Sequence, residues 1–109
     1  MPVTKVIRYR TKPDRADENE RLIRDVFEEL ASEQPEGLQY AAFRLDDRVS
    51  FLHIAVLLGE ENPLARSAAF GRFQSGIGDR CDEGPTPFDA EAIGNFRLLP
   101  AVDGPAVAD

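Results

Sequence analysis

The chain's only histidine, His53, lies mid-way along VSFLHIAVLL at residues 49–58, its most strand-like stretch. An imidazole titrates near neutrality, so it can serve as a general base; the alternative is a half-buried group bonded to a neighbour or a dimer mate. Strand alternation puts His53 on one face with Val49, Phe51, Ala55 and Leu57. The same sorting of the other expected strands adds Arg8, Arg10, Tyr40, Arg44, Asn95 and Arg97. His53 is therefore the candidate catalytic residue, with Arg8, Arg97, Tyr40, Asn95, Arg44 and Phe51 as candidate substrate-binding residues. Arginine suits a carboxylate, phenolate or enolate because its guanidinium is planar, forked and always charged. The other role open to these arginines is ion pairing across a subunit interface. No Asp or Glu falls among the strand residues of this face, which favours a small anionic or aromatic guest.

The remaining chemistry-bearing residues are sparse. One histidine and one cysteine, Cys81, offer no metal-ligand spacing, and there is no Gly-rich phosphate loop, so neither metal nor cofactor is expected. Cys81 has no histidine near it in sequence to make it a nucleophile, and a lone thiol fits a reducing cytoplasm. The 20 acidic residues outweigh 13 basic ones for a net charge of −7, which argues against nucleic acid and against an anionic membrane surface. No signal-peptide pattern precedes the first strand, and no apolar run is long enough to span a bilayer.

The elements that must position these residues follow from periodicity. Val3–Arg10 reads as a strand ended by Lys12-Pro13-Asp14. Asp14 is expected to cap a helix running to about Ser32, whose stripe is Leu22, Ile23, Val26, Phe27, Leu30 and Ala31. Leu38–Leu45 and Val49–Leu58 form an antiparallel hairpin across Asp46-Asp47-Arg48. A second helix is expected over Leu64–Arg80, a loop over Arg80–Pro87, and the last strand over Gly94–Leu99. Residues 1–99 form one domain, and Pro100–Asp109 is a flexible tail. The order βαββαβ specifies an α+β, ferredoxin-like fold: a four-stranded antiparallel sheet, in strand order 4-1-3-2, with two helices on one face.

Sorting by face gives Ile7, Tyr9, Ala41, Phe43, Leu45, Leu52, Ile54, Val56, Phe96 and Leu98 as the layer under the helices. The His53 face is too apolar to be left bare and too polar for a dry core, which marks an interface or ligand site. Two such sheets packed face to face would make a homodimer enclosing the site.

The strand order, the Lys12-Pro13-Asp14 break before an acid-led helix, the hairpin into VSFLHIAVLL, and Phe70 and Phe73 on the second helix resemble the dimeric α+β barrel superfamily. Within it the antibiotic-biosynthesis-monooxygenase-like domains are most similar, over roughly residues 3–99. The resemblance implies a homodimeric barrel and a cofactor-independent monooxygenase acting on a small phenolic or acidic molecule. The alternative it also implies is a non-catalytic small-ligand-binding or stress-response module. Haem-degrading members use a tryptophan and a helix-borne histidine, and quinone-forming members also rely on a tryptophan. This chain has no Trp, and its histidine lies on a strand, so neither catalytic set transfers.

Overall fold

Strand β1 (Val3–Thr11) pairs antiparallel with β3 (Ser50–Leu57) on one side and β4 (Cys81–Ala90) on the other, and β2 (Leu38–Arg44) pairs antiparallel with β3. The sheet order is β2-β3-β1-β4. The structure is a computed structural model and describes residues 2–99. The expected antiparallel order is the one observed; the tail from Pro100 lies outside the described residues.

Pro13 opens a 3-10 turn, Pro13–Arg15, that runs into α1 (Ala16–Glu33). Asp14 is not the cap. Proline presets helical φ at the first position, so the turn starts before Asp14 and places it within the first turn, where its charge still favours the helix dipole. At the other end Gln34 takes the left-handed conformation and donates its backbone N–H to the Leu30 carbonyl.

The second helical region is divided rather than continuous. A 3-10 turn, Pro63–Arg66, is capped by the Asn62 side chain, which accepts from the Leu64 N–H. Helix α2 (Ala68–Gln74) is capped by Ser67, whose Oγ accepts from the Phe70 N–H, and a single turn α3 (Ile77–Arg80) follows Gly76. The caps and Gly76 start new segments inside what apolar spacing alone reads as one helix. Glu29 of α1 accepts from the Ala69 N–H and ties the two helical layers together.

The fourth strand is Cys81–Ala90, not Gly94–Leu99. Its Gly84-Pro85-Thr86-Pro87 run looks like a loop, but β4 is an edge strand, where proline is tolerated. The Thr11 N–H donates to the Val49 carbonyl, so the odd residues of β1 address β3 and the even ones address β4. Pro87 lies opposite odd-numbered Ile7, which puts its nitrogen on the free edge. Pro85 falls in the irregular stretch between the Arg8–Thr86 and Arg10–Glu83 pairs.

The layer under the helices also differs from expectation. Tyr9 pairs with Phe51 and Ile7 with His53, so Ile7 and Tyr9 share a face with Tyr40, Ala42, Phe51 and His53. The core joins Tyr9 and Phe51 to Ala16, Ile23 and Val26 of α1, and to Leu64, Ala69 and Phe73. Leu52, Ile54, Val56, Ala41 and Phe43 lie on the opposite face with Val6 and Arg8. Alternation fixes which residues of one strand share a face, but the phase between strands is set by register, and a one-residue offset exchanges the faces.

This assignment predicts unequal costs for two similar substitutions. Phe51 is 1% exposed and Phe43 44%. Phe51→Ala is expected to lower stability by about 3–5 kcal/mol, and Phe43→Ala by much less within the subunit, as read by urea unfolding of dilute protein.

Candidate functional site

His53 projects from the middle of β3 into the helix-covered core and is 3% exposed. Both ring nitrogens are engaged. Nε2 lies 2.8 Å from the Tyr9 hydroxyl and Nδ1 lies 2.6 Å from the Tyr40 hydroxyl. The line continues beyond Tyr9: Asn19 of α1 donates its Nδ2–H to the Tyr9 hydroxyl at 2.9 Å, and Arg80 donates Nε–H to Asn19 Oδ1 at 3.0 Å. Arg80 also donates Nη2–H to the Phe73 carbonyl at 2.5 Å, with its guanidinium over the Phe73 ring. A buried hydrogen-bonded line thus runs Arg80–Asn19–Tyr9–His53–Tyr40, linking α3, α1, β1, β3 and β2.

Burial controls the titration of these groups. It pushes the His53 imidazolium down to about 4 from its ordinary 6.5, because the charged form loses its hydration. It pushes the Tyr9 and Tyr40 hydroxyls well above the ordinary tyrosine value, with no compensation at Tyr40 and partial compensation at Tyr9 from the Asn19 hydrogen bond. At neutral pH the Tyr9–His53–Tyr40 part of the line is therefore a neutral imidazole between two neutral phenols.

Tyr40, the last residue of the line, also lines a groove of about 680 Å³ between α1 and β2, with Ile23, Arg24, Phe27, Arg44 and Phe51 among others. Its volume lies within the range typical of small-molecule sites. Phe27 stacks on Tyr40 at 4.9 Å between centroids, and Phe51 stacks on Tyr9 at 5.4 Å. Arg44 pairs with Glu20 at 2.7 Å and Asp17 at 3.1 Å and donates to the Arg48 carbonyl, so it clamps α1 to the hairpin. Two arginine partners, Arg44 then Arg24, hold the Glu20 carboxyl below its ordinary value. The hairpin turn is held by Asp47, whose carboxylate accepts from the Ser50 hydroxyl and from the Ser50 and Val49 N–H groups, bonds that bring it down to about 2.

The structure brings four of the expected residues together: His53, Tyr40, Phe51 and Arg44. It separates the other three. Arg8 is exposed on the far face of the sheet, opposite Leu52 and Thr86. Arg97 belongs to no strand: it has a left-handed φ of 67° and lies over its neighbour's ring, Phe96. Asn95 spends its side chain on a local turn, accepting from the Leu98 and Leu99 N–H groups and donating to the Leu99 carbonyl. The adjacency of Arg8 and Arg97 required a strand at 94–99, which β4 replaces. Among the described residues no group of three or more His, Cys, Asp or Glu side chains could hold a metal, and no helix is long and apolar enough to cross a membrane.

Tyr9, Asn19 and Arg80 belong to the network but were not among the expected site residues. Asn19 had a legible signal: Asn19, Ile23, Val26 and Leu30 recur at helical spacing, which places one amide on the buried stripe.

A four-stranded antiparallel sheet with helices on one face is the ferredoxin-like α+β fold, and solved structures share it. A candidate antibiotic biosynthesis monooxygenase from Bacteroides thetaiotaomicron superposes with a TM-score of 0.72 at 16% identity, covering 95% of this chain and 96% of that one. A similarly named protein from Nitrosomonas europaea gives 0.69 at 12% identity, covering 84% and 90%. A dimeric ferredoxin-like protein of unknown function from Jannaschia gives 0.63 at 13% identity, covering 84% and 100%. No family model and no curated protein matches the sequence. The chain therefore has the fold of the antibiotic-biosynthesis-monooxygenase-like proteins.

The depressed His53 pKa makes stability pH-dependent. The unfolded histidine takes up a proton below about pH 6.5 while the folded one stays neutral to about pH 4, so the native state is penalised as pH falls through that window. The expected loss between about pH 7 and pH 5 is about 2 kcal/mol. His53→Gln is expected to be less stable at neutral pH but to lose this slope, as measured by urea unfolding at both pH values.

Proposed function

We propose that this protein is a homodimeric α+β barrel that binds a small aromatic acid or phenol in the groove between α1 and β2. The observation that carries this reading is the Tyr40–His53 pair at the aromatic wall of a groove of small-molecule size. Phe27 offers an aromatic face, and the Tyr40 hydroxyl offers a polar contact to the guest's oxygen. Binding is favoured over general-base catalysis by His53 because both its nitrogens are occupied and its conjugate acid is destabilised. The candidate monooxygenases of this fold support a second reading, in which the bound guest's own anion reacts with oxygen and Tyr40 stabilises the developing oxyanion. The surplus of acidic residues and the lone buried thiol of Cys81 suit a cytoplasmic protein that binds neither nucleic acid nor membrane.

A thermal-shift and oxygen-uptake panel of hydroxybenzoates and small phenols separates these readings. A melting-point rise without oxygen consumption supports binding alone; consumption with turnover of the guest supports the oxygenase. Tyr40→Phe is expected to weaken binding about tenfold or more by removing one hydrogen bond to a charged or carbonyl oxygen. Retained affinity in Tyr40→Phe would remove Tyr40 from the site.

The dimer rests on the open sheet face. Val6, Phe43, Leu52, Ile54 and Phe88 form an apolar surface away from the helices, and a protein of similar fold is described as dimeric. Placing a charge at its centre with Ile54→Glu is expected to convert a dimer to a folded monomer in sedimentation analysis. A wild-type monomer at micromolar concentration would count against the proposal.

A further inference from the structure

Hydrogen-bond accounting gives the buried line a direction. Arg80 can only donate, so the Asn19 atom facing it is the oxygen, and Asn19 must present its NH₂ to Tyr9. The Tyr9 hydroxyl oxygen thus accepts from Asn19, and its own proton needs an acceptor in a setting that is 2% exposed. His53 Nε2, at 2.8 Å, is that acceptor. A neutral imidazole with a bare Nε2 carries its proton on Nδ1, which then donates to the Tyr40 oxygen at 2.6 Å. The opposite tautomer would leave the Tyr9 proton buried without a partner, an arrangement that costs the desolvation of a hydroxyl.

We infer that Arg80 and Asn19 lock His53 as the Nδ1–H tautomer and so turn the Tyr40 hydroxyl into an outward donor, making the groove selective for guests that offer a hydrogen-bond acceptor. Among the described residues the only partner of the Tyr40 hydroxyl is His53; that bond is part-buried and Tyr40 lines the groove, which leaves the proton to water or to a guest there. Arg80 and Asn19 touch nothing in the groove and act as positioning residues. Their effect reaches the guest through two tyrosines and one imidazole. The preference for acceptors rests on the groove being the binding site, as proposed above; the tautomer lock does not.

Because the chain has a single histidine, its imidazole ¹⁵N spectrum reports one residue. In the wild type at neutral pH the expected result is a protonated Nδ1 and a bare Nε2. Asn19→Asp is expected to reverse the line: the carboxylate accepts from Arg80 and from the Tyr9 hydroxyl, Tyr9 then accepts from Nε2–H, and Tyr40 donates to Nδ1. If Asn19→Asp fails to fold, Tyr9→Phe keeps the ring, removes the donor to Nε2, and is expected to give a mixture of tautomers. A bare Nδ1 in the wild type, or a tautomer indifferent to both substitutions, would overturn the lock. Benzoate, which only accepts, and benzamidinium, its donor-only counterpart, are then titrated into the same samples. Wild-type binding of benzoate over benzamidinium, with the preference reduced about tenfold or more in Asn19→Asp, supports the selectivity. Equal preference in the two proteins overturns it. No response to either probe, with the tautomer as expected, overturns the groove as the binding site and leaves the lock standing.

Discussion

A guanidinium and an imidazole are buried in a domain with little core to spare. Arg80 is 2% exposed, yet its hydrogen bonds go to an amide and a carbonyl rather than to a carboxylate, and a phenyl ring lies under its charge. A charge held in this way is tolerable only where its buried donors find acceptors, as Nε and Nη2 do. That requirement fixes Asn19, and through it the placement of α1 against β1. It then fixes Tyr9, His53 and Tyr40 in turn, so that three strands and two helical segments share one polar seam. The apolar contacts of Ile23, Val26, Phe51 and Phe73 surround the seam and exclude water from it. Packing supplies the driving force for this core, and the seam specifies its alignment.

The fold was legible where a pattern repeats. The α1 stripe, the antiparallel hairpin at Asp47 and the strand order all follow from period and turn chemistry that one stretch of chain carries by itself. Legibility failed where the answer depends on two distant stretches. The phase of β1 against β3 is a property of the pair Tyr9–Phe51, not of either strand. Taking the Leu52–Ile54–Val56 face for the core was reasonable on hydrophobicity alone; the aromatic and polar face is the buried one because its hydroxyls and imidazole satisfy one another. Pro85 and Pro87 hid β4 because proline denotes a loop unless the strand is known to lie at an edge.

The candidate site was legible in its chemistry and less so in its geometry. Strand alternation together with residue type brings forward His53, Tyr40, Arg44 and Phe51, and the structure gathers them. Asn95 and Arg97 join that group only through a strand that does not form, and Arg8 only through the wrong phase of β1 against β3. Arg44 shows how a charge read as ligand-binding can instead be spent on Glu20, Asp17 and a carbonyl, which stiffens the groove's rim and leaves little net charge to offer. The sheet thus divides its work. One face, under the helices, carries the polar seam and the groove; the other carries Phe43, Leu52 and Ile54 together with the exposed Arg8.

The edge formed by β4 bears on how one copy of this sheet can meet another. With Pro87 directing a ring rather than an N–H outward, that border cannot complete the regular ladder that an incoming strand would need. The irregular stretch around Pro85 bends the border further from a straight template. Growth by adding sheet to sheet in a continuous ribbon, the route to fibres, is interrupted at this border.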